Sequence, residues 1–173
     1  EDNAESAYLL FPESRENSIR MTTDIPLKWM QDGVTNRFSG KVLKGEYFTF
    51  QLGLFAARKD IENIDVEFSG LTRESKPAIG ADAFSSFNTG GINWKGEPFK
   101  KEINVVKGKV QALWMGVQIP EEIKAGVYEG ILQVKPANAA PQKVSIEIEI
   151  TDKTIKAAGD DEPSRLSRLR WLN

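Results

Sequence analysis

The 173-residue sequence contains neither cysteine nor histidine. Without cysteine there is no disulfide, no thiol nucleophile and no thiolate-held metal. Without histidine the commonest metal ligand and the usual neutral-pH base are missing, and a Ser-His-Asp triad cannot be assembled. Neither sign of charge dominates: 23 Lys and Arg oppose 25 Asp and Glu, a formal charge of -2. That balance gives no electrostatic drive toward nucleic acid or an anionic membrane surface. No apolar run approaches the roughly 20 residues that cross a bilayer, so membrane insertion is not expected. Internal repeats, low-complexity tracts and long 3.6-period segments are absent as well. No cofactor or metal site is implied, and the chemistry that remains belongs to carboxylates, lysines and tyrosines.

What the chain has is period-two alternation. With 40% hydrophobic and 28% charged residues it has the composition of a soluble globular domain. Phe48, Phe50, Leu52 and Leu54 alternate with Thr49, Gln51 and Gly53 after a turn at Lys44, Gly45 and Glu46. Ile64, Val66 and Phe68 form a second set, which Ser69 and Gly70 are expected to stop. Leu113, Met115, Val117 and Ile119 form a third, and Val144, Ile146, Ile148 and Ile150 a fourth. Weaker strands are expected at 26–30, 37–43 and 102–106, and a small-residue hairpin connection at 137–141. Alternation with β-branched enrichment and short polar turns reads as antiparallel strands.

Residues 126–135 are the most telling. Tyr128, Gly130, Leu132 and Val134 share one strand face, and the Gly-x-Tyr approach after a proline-marked turn has the form of a tyrosine corner. In that device the ring is buried and its hydroxyl bonds to backbone. Together these segments predict an all-β, immunoglobulin-like antiparallel sandwich of about eight strands, followed by a short C-terminal helical or linker segment. The expected division is 1–158 for the sandwich and 159–173 for the linker and the start of a following domain.

Two regions break the pattern. Residues 72–98 hold glycines, prolines and scattered aromatics without sustained alternation, so they are packed down, functional, or contain short strands. Phe87, Asn88, Asn93 and Trp94 in this loop form the candidate carbohydrate contact. A pyranose wants an aromatic face for its C–H side and amides for its rim. The competing reading turns these aromatics inward as loop anchors. Trp114, opposite Leu113 and Met115, is either a binding platform or a residue covered by the N-terminal segment or a neighbour.

At the other end, acids Asp160, Asp161 and Glu162 precede Pro163, and arginines follow it, as at a helix start. Arg165, Leu166, Arg168, Leu169, Trp171 and Leu172 are the candidate interdomain docking residues. The adjacent acids are read as capping groups, because glycoside hydrolysis needs two carboxyls facing each other across a substrate.

Several phrases carry a resemblance. Residues 17–24 (NSIRMTTD), 45–53 (GEYFTFQLG), 108–114 (GKVQALW) and 165–173 (RLSRLRWLN) look like the N-terminal β-sandwich of large secreted proteins bearing a glycoside-hydrolase-like barrel. The group is similar to glycoside hydrolase family 123, and the likeness runs from about Asn17 onward. Pro163 and Ser164 stand where the family's closing motif has bulky residues. In such proteins the catalytic groups lie in the barrel, so no catalytic residue carries over to this chain. The resemblance implies a non-catalytic accessory module of a secreted glycosidase, periplasmic or at the cell surface, whose partner is its own C-terminal catalytic domain. The start at Glu1 rather than Met is read as the trace of a removed leader or tag. The alternatives are a carbohydrate-binding module using the loop at 84–94, with a glycan as partner, and a structural or cell-surface interaction domain.

Overall fold

The computed structural model of the protein describes residues 5–20 and 23–155. In chain order these form β1 (Tyr8–Ser14), α1 (Leu27–Asp32), β2 (Arg37–Lys44), β3 (Tyr47–Ala56), β4 (Asp65–Arg73), β5 (Lys76–Ile79), β6 (Phe84–Ser86), β7 (Gly90–Ile92), β8 (Pro98–Lys100), β9 (Val110–Gln118), β10 (Gly126–Lys135) and β11 (Gln142–Thr154). A four-stranded sheet runs β1-β3-β9-β6, a five-stranded sheet runs β2-β11-β10-β4-β5, and β7 with β8 makes a separate ribbon. The alternating apolar sets meet between the two larger sheets. Phe48, Phe50, Leu52, Leu113 and Met115 from the first join Phe38, Tyr128, Leu132, Ile146 and Ile148 from the second in one buried cluster. At about 1.5–3 kcal/mol per large side chain, this layer is the main folding drive.

The expected sandwich is therefore present, with corrections. The all-antiparallel expectation fails at one edge, where β2 runs parallel to β11 in the register Arg37 with Ser145 and Val42 with Ile150. These strands are distant in sequence, and the intervening strands supply the crossover that a parallel pair requires. The strand expected at 26–30 is the helix α1. Pro26, φ -53°, stands at its N-cap, and Lys28 pairs with Asp32 one turn on. The strand expected at 102–106 is a single bridge between Ile61 and Val105. Ser69 and Gly70 do not end β4. They form a bulge, with Gly70 at φ +76° and Ser69 Oγ accepting the Ile131 amide, and β4 continues to Arg73. The 72–98 region does hold short strands, β5 to β8.

β1 has no counterpart among the sequence-based expectations. Its Tyr8 and Leu10 face the main core while Phe11 and Glu13 are buried on the opposite face, so alternation is lost. Pro12 is tolerated because β1 is an edge strand.

The tyrosine corner is observed. Tyr128 is 2% exposed and its hydroxyl donates to the Lys124 carbonyl at 2.6 Å. Tyr128→Phe is expected to cost about 1–3 kcal/mol by stranding that carbonyl, read as a lower denaturant midpoint.

Tyr8 plays a similar part across the sandwich seam, its hydroxyl donating to the Ala140 carbonyl at 3.0 Å. Burial pushes its pKa up to about 12. An unfolded tyrosine ionises near pH 10, so the folded state holds this proton more tightly. The associated stability, on the order of a few kcal/mol, is complete below pH 10 and is lost as pH climbs toward 12. Alkaline unfolding of Tyr8→Phe is expected to lack this component.

Candidate functional site

Two places on the sandwich have more than a packing role on offer. The first is the outward face of the four-stranded sheet. Gln51 and Gly53 on β3 point there by strand alternation, beside Glu13 and Phe11 on β1 in the same register rows. Such positions ordinarily meet water, yet residues 17–20 and 23–33 cross this face as a strap and close it. Gln51 is 0% exposed. Its Nε2 donates to the carbonyls of Ser14 (2.8 Å) and Asn17 (3.0 Å), and its Oε1 accepts the Ile19 amide at 2.9 Å. One amide thus satisfies three backbone groups, one at the end of β1 and two in the strap.

α1 adds Trp29, which stacks flat on Phe11 with ring centroids 4.4 Å apart. Gly53 makes room for it: a Cβ there would lie 2.2 Å from the indole. The Trp29 Nε1 donates to Glu13 Oε1 at 2.9 Å, and Lys28 Nζ reaches the same oxygen at 2.7 Å. The hydrogen bond to Glu13 raises the pKa of the Lys28 ammonium, against burial, which lowers it.

Glu46, in the turn between β2 and β3, is the other buried acid among the described residues. Arg15 meets its Oε1 at 2.6 Å and the Leu43 amide donates to its Oε2 at 2.9 Å. A glycosidase acid must donate a proton into an open cleft with a second carboxyl across the substrate. Glu13 and Glu46 are instead each fixed to a cation and an N–H donor beneath the strap or the turn. Outward acids on the second sheet are solvated ladder partners, Glu147 with Arg37 and Glu149 with Lys41. Among the described residues no three acids converge as a metal would require.

The second place is the β7–β8 ribbon and the turn at 87–89 that leads into it, which together with β6 hold the sequence-predicted loop at 84–94. Phe87 is 48% exposed and meets the Tyr47 ring edge-on at 6.2 Å. Asn88 Oδ1 accepts the Trp114 amide at 2.6 Å, and the Phe87 amide donates to the Trp114 carbonyl at 2.9 Å. Asn88 therefore extends the β6–β9 pairing by side chain. Trp114 itself is half-buried on the outward face. Asn93 organises the ribbon's turn: its Oδ1 accepts the amides of Lys95 and Glu97, and its Nδ2 donates to Glu97 Oε2 at 3.1 Å. Gly96, at φ +82°, closes a three-residue loop. Trp94 projects from that loop, 89% exposed.

Of the four residues predicted to touch sugar, the structure presents two, Phe87 and Trp94, and commits the amide oxygens of Asn88 and Asn93 to the backbone. Sequence reasoning did not single out the ribbon's Ile92, Lys95, Phe99 and Lys101; the Asn-Trp-Lys-Gly turn signal that places them was there to be read. Arg165, Leu166, Arg168, Leu169, Trp171 and Leu172, and the acids Asp160, Asp161 and Glu162, lie outside the described residues.

No protein-family model matches the sequence, and neither does a curated protein. A solved structure does share the fold. A family 123 glycoside hydrolase from Clostridium perfringens, studied for glycolipid glycan hydrolysis, superimposes with a TM-score of 0.62 at 16% identity, over 87% of this chain and 28% of the enzyme. The chain thus spans little more than a quarter of that protein's length. The N-terminal domain of PorA gives a TM-score of 0.47 at 11% identity, over 83% of this chain and 98% of that domain. The periplasmic chaperone SfaE gives 0.40 at 11% identity, over 70% of this chain and 57% of its own.

Proposed function

We propose that this chain is the non-catalytic sandwich module of a larger secreted glycoside hydrolase, a brace for the domain that does the chemistry. The observation that carries the reading is the superposition on a family 123 enzyme over most of this chain and only 28% of the other. The state of the acids supports it. Both buried carboxylates among the described residues serve the strap and turn, and outward ones such as Glu147 and Glu149 pair along an open sheet. On this reading Arg165, Leu166, Arg168, Leu169, Trp171 and Leu172 form the junction with the following domain, and the protein works in the periplasm or at the cell surface.

The test is to express the longer polypeptide with and without residues 1–155. The remainder is expected to keep its bond-cleaving chemistry while its thermal midpoint falls. A folded remainder of unchanged stability that has lost its chemistry would contradict the reading.

A further inference from the structure

The turn between β7 and β8 is complete without an indole. Asn93 supplies the hydrogen bonds and Gly96 the left-handed residue, while the position of Trp94 accepts almost any side chain. Yet a tryptophan stands there, 89% exposed, with Ile92 at 67% and Phe99 at 37% on the same ribbon. By strand alternation Ile92 and Phe99 take opposite faces of the ribbon, so the indole at its tip, which the fold does not need, is the feature that marks a surface for binding.

The ribbon is also tied at both ends. The Lys101 amide donates to the Thr89 carbonyl at 3.0 Å at its root, and the Asn93 amide donates to the Glu97 carbonyl at 2.9 Å near its tip. The Phe99 ring lies along its cross-strand partner Gly91, so this face of the ribbon carries one aromatic ring. Side chains carried on a hydrogen-bonded hairpin bind with less ordering cost than those on a free loop.

Charge then narrows the partner. Lys95 Nζ sits 5.2 Å from the Trp94 ring centroid and Lys101 Nζ 5.7 Å from that of Phe99. Among the described residues neither ammonium has a carboxylate partner. Glu97, the acid nearest the tip, is turned back onto Asn93. Each exposed ring is therefore paired with a cation free to take an anion. A sugar ring offers a C–H face to an aromatic, and a carboxylate or sulfate on that sugar would meet the lysine beside it.

We propose that the β7–β8 ribbon binds acidic polysaccharide, with Trp94 stacked on a sugar ring and Lys95 and Lys101 taking its carboxylate or sulfate groups. The proposal stands on the ribbon's own geometry and does not require a catalytic neighbour.

Affinity electrophoresis of the intact chain tests it, in native gels containing polygalacturonate, chondroitin sulfate or neutral dextran. With a formal charge of -2 the chain has no overall attraction to a polyanion, so retardation has to be local. The wild type is expected to be retarded by at least one acidic polymer and not by dextran, and the two acidic gels separate a carboxylate preference from a sulfate preference. Trp94→Ala should weaken the retardation roughly tenfold or more. The double variant Lys95→Gln, Lys101→Gln should weaken it and flatten its salt dependence, with thermal midpoints unchanged in both variants. Absence of retardation in both acidic gels, equal retardation in dextran, or variants that migrate like wild type would each overturn the proposal.

Discussion

Trp29→Ala is expected to lower the unfolding free energy by about 3–5 kcal/mol, the range for removing a large aromatic from a packed site. The indole does three things in one position. It stacks on Phe11, fills the space over Gly53, and donates to the buried Glu13 carboxylate. Its loss leaves a cavity on the outward face of the sheet and takes a donor from a carboxylate that is 6% exposed. Trp29→Phe separates these contributions. The ring contact survives and the Nε1–H donor does not, so an intermediate loss is expected in denaturant unfolding. An alanine variant as stable as wild type would mean that the strap does not hold this face closed.

Gln51→Leu should be nearly as damaging, at about 3 kcal/mol or more, because leucine fills the volume and satisfies none of three backbone groups. The Ser14 and Asn17 carbonyls and the Ile19 amide would each need a new partner or water. Opening the strap supplies that water but exposes Trp29, so the two residues hold one element and their substitutions should not add. The double variant is expected to lose less than the sum of the single losses, as residues sharing one structural unit do. Strict additivity would show that Gln51 and Trp29 act on separate parts of the chain.

The strap also explains where the sequence was legible and where it was not. Strands with one wet face, such as β10 and β11, show clean alternation, and their inward residues are readable one by one. The tyrosine corner follows from local spacing alone. β1 and the outward side of β3 obey a different rule, since a distant segment covers a face that alternation assigns to solvent. Gln51 therefore reads as an ordinary surface residue and Glu13 stands in a segment with no strand signal, although both are buried. The helix at 27–32 was obscured for a related reason: six residues are too few for a 3.6 period to emerge, and Trp29 points in while Leu27 and Met30 remain exposed. The parallel pairing of β2 with β11 depends on global topology, to which local pattern is blind. On the ribbon, the aromatic content was visible, but the use of both asparagine amides as turn supports depended on backbone geometry.

On the proposed reading the acids of this sandwich hold structure together, and the chain by itself is expected to cleave no glycoside. Glu13 and Glu46 are the buried acids among the described residues, and each is bound to a cation. Hydrolysis of a glycoside requires two carboxyl functions, or one carboxyl and a substrate acetamido group, on opposite sides of a sugar ring. The direct measurement is turnover by the purified chain on a panel of aryl glycosides that includes N-acetylhexosaminides. No release of the aryl group above the uncatalysed rate is predicted for any member. Turnover that vanishes in folded Glu13→Gln or Glu46→Gln protein would contradict the account.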